Sequence, residues 1–282
     1  MEKTDKVEEF FKKICENQTV YSFGDKYLYR MSKDTLNNIE ENKIASMIWL
    51  IGRSYAASPE RIKGIKKEND TPNIIFEELA KNIIKRILKF EKKQFDKEYK
   101  YTNDNSMEDI ELLKNSVQMV IDINSCRFFN VSSDMNDQKA VYNMISFSSK
   151  FLHFCLPKSV FIIDQYSKIG TIRLFNSIHN KTKDIYVNRD NDIKIEDLRV
   201  FDKNEYSNIL KELKKLKDIC KIEEVKENEA IIEYINHVSG CYVIAKYCKE
   251  KELSGIKIDE ENNMISMPRL VDSILLKVGE AK

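Results

Sequence analysis

Lys150, His153 and Asp164 lie within one short stretch of a 282-residue chain. From Ser146 the chain reads Ser-Phe-Ser-Ser-Lys-Phe-Leu-His-Phe-Cys-Leu-Pro-Lys-Ser-Val-Phe-Ile-Ile-Asp-Gln-Tyr-Ser-Lys-Ile-Gly, ending at Gly170. A helix over 137–155 places Lys139, Asn143, Ser146, Lys150 and His153 on one polar strip. Ala140, Met144, Phe147, Phe151 and Phe154 fall on a separate apolar seam. Pro157 stops that helix, and the apolar run Val160 to Ile163 buries the connection. Asp164 then stands at the mouth of the next helix, so an amine and a carboxylate can face one cleft. Asp at that position also predicts an N-cap. Between Lys139 and Arg189 there are eight basic residues and two acidic ones, Asp164 and Asp184, a local charge of +6 in a chain of net charge +1. Phe147, Phe151, Phe154, Phe161, Tyr166, Phe175 and Tyr186 are interleaved with them. Basic plus aromatic is what neutralising phosphates and stacking on bases require. The same aromatic stripe also fits a buried core flanked by solvated lysines.

The elements that must hold these residues are helices. Only 7 Gly and 4 Pro occur, which disfavours sandwiches, barrels and Gly-rich nucleotide folds. Charged residues make up 33% and apolar ones 42%, the balance of a folded globular chain. Apolar periodicity predicts helices over 5–16, from about 32 to 57, and over 73–95, 107–124, 137–155, 164–178, 203–221, 228–250 and 267–278. Tyr21, Phe23, Tyr27 and Tyr29 nearly alternate around Gly24-Asp25. That pattern predicts minor β structure near residues 18–31. Residues 181–201 read as weakly extended around Ile185-Tyr186-Val187. The polar stretch Thr102 to Ser106 suggests a boundary. The expectation is mainly α: a helical lobe over 1–104, with the C-terminal helix packing back, and a lobe over 105–282 carrying the site, with a cleft between them.

The segment Ser149-Lys150-Phe151-Leu152-His153-Phe154, Pro157 and Phe161-Ile162-Ile163-Asp164-Gln165-Tyr166-Ser167-Lys168-Ile169 resembles the core of helix-hairpin-helix DNA glycosylases. That family carries a Gly-rich hairpin, then a Lys in the following helix, then a Pro-x-Asp-Thr-His-Val-x-Arg-Val-like segment. The resemblance covers residues 146–170. It implies that Lys150 is the nucleophile, Asp164 the catalytic aspartate and Lys168 a basic residue following it. No Gly-x-Gly hairpin precedes Lys150, where Met144-Ile-Ser-Phe-Ser148 stands, and Asp164-Gln165-Tyr166 replaces Asp-Thr-His. No four-cysteine cluster follows, so an iron–sulfur cofactor is not implied.

The function expected from this is a DNA base N-glycosylase that flips a base into an aromatic-lined cleft. Asp164 would stabilise charge on the sugar, Lys150 would form a Schiff base, and His153 would shuttle a proton. Lys158, Lys168 and Arg173 would contact the nucleic acid. So would Arg53, Tyr55 and Arg61 from the cluster Trp49-Leu-Ile-Gly-Arg-Ser-Tyr-Ala-Ala-Ser-Pro-Glu-Arg61, which equally suits a structural helix corner. Two alternatives stand beside it: a non-catalytic nucleic-acid-binding or sensor module, and a protein-interaction component of a bacterial stress or phage-defence system. A third cluster, Ser266-Met-Pro-Arg-Leu-Val-Asp272, predicts a capped helix with an Arg269–Asp272 pair.

His237, Cys241 and Cys248 share a helical face, yet lack a fourth ligand, so no metal or other cofactor is expected. No run approaches 18 apolar residues, and the charged start Met1-Glu-Lys-Thr-Asp-Lys has no apolar signal region. A cytoplasmic protein with reduced thiols, no membrane partner and DNA as its partner is the expectation. A phosphate-binding Gly-x4-Gly-Lys-Ser/Thr loop, a Gly-x-Gly-x-x-Gly turn, His-Glu-x-x-His and Gly-x-Ser-x-Gly do not occur.

Overall fold

A computed structural model describes residues 3–16, 23–55, 57, 72–90, 97–102, 107–126, 144–175, 186–188, 193–194, 201, 203–218, 225–253 and 266–281. The chain is mainly α. Its helices are α1 (Lys3–Glu16), α2 (Phe23–Asn37), α3 (Glu41–Ser54), α4 (Pro72–Ile87), α5 (Met107–Asn124), α6 (Ile145–Cys155), α7 (Gln165–Phe175), α8 (Lys203–Lys214), α9 (Val225–Glu250) and α10 (Met267–Glu280). Two short antiparallel strands, β1 (Tyr186–Asn188) and β2 (Ile193–Lys194), lie where the weakly extended stretch was expected. Among the described residues no helix is long and apolar enough to cross a membrane.

Residues 23–31 are helical, which corrects the expected strands there; residues 17–22 lie outside the described residues. The buried positions of α2 are Asp25, Leu28, Ser32 and Thr35, a helical period. The apparent alternation of aromatics is incidental to it. Tyr27 is half exposed, while Tyr29 packs on His153 and Phe154 from a different face. The helix expected from about 32 to 57 is two helices, broken between Asn37 and Glu41.

Helices α2, α3, α5 and α9 surround α6. One connected apolar cluster runs from Phe10 on α1 to Val278 on α10, drawing on both expected lobes. Helix α6 is therefore buried all round: every residue from Phe147 to Cys155 is buried, Lys150 and His153 included. Of the expected polar strip, Lys150 and His153 lie against protein, while Lys139 and Asn143 lie outside the described residues. Helix α9 is wrapped in the same way, with Tyr234, Ile235, Cys241, Tyr242, Ile244 and Cys248 inside. An apolar surface on all sides is the mark of a helix at the centre of a fold.

Helices α7 and α10 pack backbone against backbone. A Cβ on Gly170 would lie 2.3 Å from the Leu275 carbonyl oxygen, and one on Gly279 would lie 1.9 Å from that of Tyr166. The two glycines face opposite partners, so each helix supplies a hole for the other's backbone. Arg173 of α7 then donates from Nη1 to the carbonyls of Val278 (2.8 Å), Gly279 (3.2 Å) and Ala281 (2.7 Å), closing the C-terminus of α10. We expect Gly170→Ala and Gly279→Ala each to destabilise despite alanine's better helix propensity. The overpacking cost is about 1–3 kcal/mol, read as a drop of roughly 2–4 °C in Tm per kcal/mol.

Candidate functional site

The connection between α6 and α7 sets the geometry of the site. Leu156 to Ser159 turn the chain, and residues 160–163 run extended through the interior. A buried segment outside helix or sheet must find partners for its backbone, and side chains supply them. Tyr99 Oη donates to Ser159 O (2.6 Å), and Tyr234 Oη to Phe161 O (3.2 Å). His153 Nδ1 bonds Val160 O at 2.8 Å, and His237 Nε2 bonds Ile162 O at 2.7 Å. The Ile163 amide donates to Ser149 Oγ (3.2 Å).

This segment delivers Asp164 to the N-terminus of α7. The Ser167 amide donates to Asp164 Oδ1 at 2.9 Å, and the Asp164 amide donates to Ser167 Oγ at 3.0 Å. That reciprocal cap matches the expected role. Asp164 remains half-buried, with a second carboxylate oxygen outside the cap bond.

Lys150 points from α6 into a charged group assembled from four other elements. It is 3% exposed, and Nζ donates to Ser146 Oγ at 3.0 Å. Nζ also lies 5.7 Å from the ring centroid of Tyr55, just past the end of α3. Arg269 of α10 sits 5.9 Å from the same ring. Arg269 donates to Asp272 (2.6 Å) and to Asp25 of α2 (3.2 Å), and Tyr55 Oη donates to Asp25. Burial lowers the proton affinity of Lys150 below the usual lysine range. The carboxylates of Asp164 and Asp272 work against that shift, and Arg269 adds to it. Burial pushes Asp272 up to about 6, with Arg269 and Lys150 opposing and Asp164 reinforcing the rise. Burial also disfavours the charge of Arg269, but the carboxylates of Asp272 and Asp25 outweigh it and hold the guanidinium charged.

The arrangement thus offers a buried amine whose charged form burial disfavours and neighbouring carboxylates favour. The amine is closed over, so a substrate reaches it only if covering elements part.

His153 does not occupy a proton-relay position. Its Nε2 pairs with Tyr29 Oη at 2.7 Å, its Nδ1 is spent on Val160, and burial drives its pKa down to about 3. It is a neutral strut, not the proton shuttle expected from the sequence. His237 plays the same part, bridging Thr171 Oγ1 (2.9 Å) and Ile162, with its pKa lowered to about 4 by burial. Cys241 lies 3.3 Å from His237, and no group of metal-binding residues occurs among the described residues.

Of the residues expected on a nucleic-acid surface, Lys158 pairs with Glu98 (2.7 Å) and Lys168 with Glu233 (2.9 Å). Exposed pairs of this kind are weak enough to yield to a phosphate. Arg173 is committed to the α10 carbonyls described above. Arg53 is exposed on α3, and Arg61 lies outside the described residues. Tyr55 belongs to the Lys150 group rather than to an outer surface. Trp49 is 46% exposed, in a surface groove with Tyr27 and Phe76. Sequence reasoning did not bring Asp25, Arg269 and Asp272 to the site. The available signal was two charged residues, Arg269 and Asp272, interrupting the apolar face of α10.

Compared with protein-family models, with curated proteins and with solved structures, the chain finds no match.

The two struts predict how stability depends on pH. Each is neutral in the fold, with a pKa below the ordinary value of 6.5. The stability at stake is fully present above about pH 6.5 and is lost as pH falls towards 4 for His237 and 3 for His153. Asp272 shifts the other way, so acidification relieves its burial and offsets part of the loss. We expect Tm to fall between pH 7 and pH 5, with His237 contributing on the order of 2 kcal/mol. His237→Gln should show a shallower fall by differential scanning fluorimetry.

Proposed function

We propose that the protein is a DNA base N-glycosylase in which Lys150 is the nucleophile and Asp164 the assisting carboxylate. The observation that carries this reading is the buried amine of Lys150, 3% exposed and bonded to Ser146, on the helix that leads to the carboxylate capping α7. Desolvation raises the fraction of neutral amine at pH 7. A flipped nucleotide presents its C1′ to that amine. The Nζ–C1′ bond forms as the bond from C1′ to the base breaks, and the bonding pair leaves with the base, which takes up a proton. Loss of a proton from the attached nitrogen and opening of the sugar ring give the imine. The Asp164 carboxylate stabilises positive charge on the sugar during the exchange. Its cap bond to Ser167 fixes that carboxylate before substrate arrives.

The same scaffold supports a second reading, a nucleic-acid-binding module without chemistry. The closure of Lys150, 3% exposed, favours it. The two readings separate at one residue. In the first, borohydride traps the protein on oligonucleotides carrying damaged or deaminated bases, and Lys150→Ala abolishes the adduct. In the second, no adduct forms and Lys150→Ala binds as before.

Asp164→Asn gives a companion test. Asn caps a helix nearly as well as Asp, so Tm should stay within a few degrees. It carries no charge, so base release should disappear while binding persists. Full base release by this variant, measured by gel assay, would assign the carboxylate to the cap alone.

A further inference from the structure

Asp272 belongs to the Lys150 group but has no part in the chemistry set out above. It lies on α10 and is 2% exposed. Its Oδ2 is held by Arg269 Nη1 at 2.6 Å, and Arg269 Nη2 is in turn held by Asp25. Its Oδ1 is sealed from solvent and has no hydrogen-bond partner among the described residues. Protein interiors leave few polar atoms in that state, because an unpaired buried acceptor forfeits its hydration without compensation. The donors around it are engaged elsewhere. The Lys150 amine donates to Ser146, the Tyr55 hydroxyl to Asp25, and the Arg269 guanidinium to Oδ2 and Asp25. The Lys150 amine and the Arg269 guanidinium lie 5.7 and 5.9 Å from the same ring, that of Tyr55, so a ligand reacting at the amine lies beside the carboxylate that Arg269 holds. A carboxylate oxygen is an acceptor only, so the group that completes it must bring a hydrogen.

We propose that Asp272 Oδ1 accepts a hydrogen bond from an N–H on the edge of the base held at Lys150. This rests on the glycosylase reading and adds the substrate class. The bases released are those presenting a ring or amino N–H towards α10. A base whose N–H is replaced by N–CH3 leaves the acceptor unpaired and adds a clash, so it is rejected. Arg269 fixes the acceptor by pinning the other oxygen, and Asp25 and Tyr55 fix Arg269. This geometry discriminates through an unmet buried acceptor, which penalises the wrong ligand more heavily than a lost apolar contact.

The test compares two reactions of the full-length protein. Borohydride trapping on an oligonucleotide with a preformed abasic site requires Lys150 but no base. Release from duplexes carrying uracil, hypoxanthine or 8-oxoguanine requires both. In Asp272→Asn, Arg269 holds the amide oxygen and leaves the NH2 group facing an incoming N–H. Base release should fall by about tenfold or more relative to abasic-site trapping by the same variant, which reads separately what the lost charge does to the Lys150 amine. With the unmodified protein, a matched duplex carrying the N-methylated form of the released base should react at least about tenfold more slowly. Full base release by Asp272→Asn overturns the proposal. So does equal release of the N-methylated base, whatever the variant's stability. An unmodified protein that neither traps abasic DNA nor releases any base overturns the glycosylase reading itself, a result distinct from both.

Discussion

The buried crossing from Ser159 to Ile163 is the constraint on which the arrangement depends. A buried segment outside helix and sheet has no neighbouring strand to pair with. Tyr99, His153, Tyr234, His237 and Ser149 take the place of that neighbour. They come from the segment before α5, from α6 and from α9, so the position of the crossing is fixed from three directions. Because α6 ends at one side of it and α7 begins at the other, Lys150 and Asp164 inherit that rigidity. Neither residue needs an ion pair between them to hold its place.

The second fixed relation is between α7 and α10. Backbone contact at Gly170 and Gly279 leaves little room for sliding, and Arg173 closes the end of α10. Asp272 and Arg269 are carried by α10 and are therefore registered against the helix that Asp164 caps. Helices α2 and α3 enter through Asp25 and Tyr55, by a hydroxyl, a carboxylate and a ring face. The polar group thus joins two closely locked helices to two that meet them through side-chain tips.

Much of the helical framework was legible because its apolar positions recur with helical spacing, as in α1, α5 and α10. The cap at Asp164 was legible because Asp precedes a helix and Ser167 follows three residues later. The Arg269–Asp272 pair was legible from its spacing. What periodicity does not carry is which polar residues are buried. Lys150 and His153 read as a polar strip, and polar spacing looks the same whether water or protein lies opposite. The strands expected around Gly24-Asp25 rested on aromatic alternation, which the burial of Leu28, Ser32 and Thr35 on a helical face outweighs. Tyr55 and Asp25 are brought to Lys150 by tertiary packing over long sequence separations, and no local pattern encodes that.

The closure of Lys150 has a chemical consequence apart from substrate entry. A neutral lysine amine is a nucleophile towards any aldehyde, and cells contain sugars and metabolites with free carbonyl groups. Solvent exposure would leave such an amine open to slow, unspecific modification. Covered by Tyr55 and sealed within α6, it meets only molecules whose binding displaces the cover. The work of opening lowers the apparent affinity for every ligand alike, by the fraction of time the site stands open. Small carbonyl compounds have little binding energy with which to offset that work, whereas a long charged polymer has a great deal. The burial that disfavours the charged form of the amine is thus also what keeps small carbonyl compounds away from it.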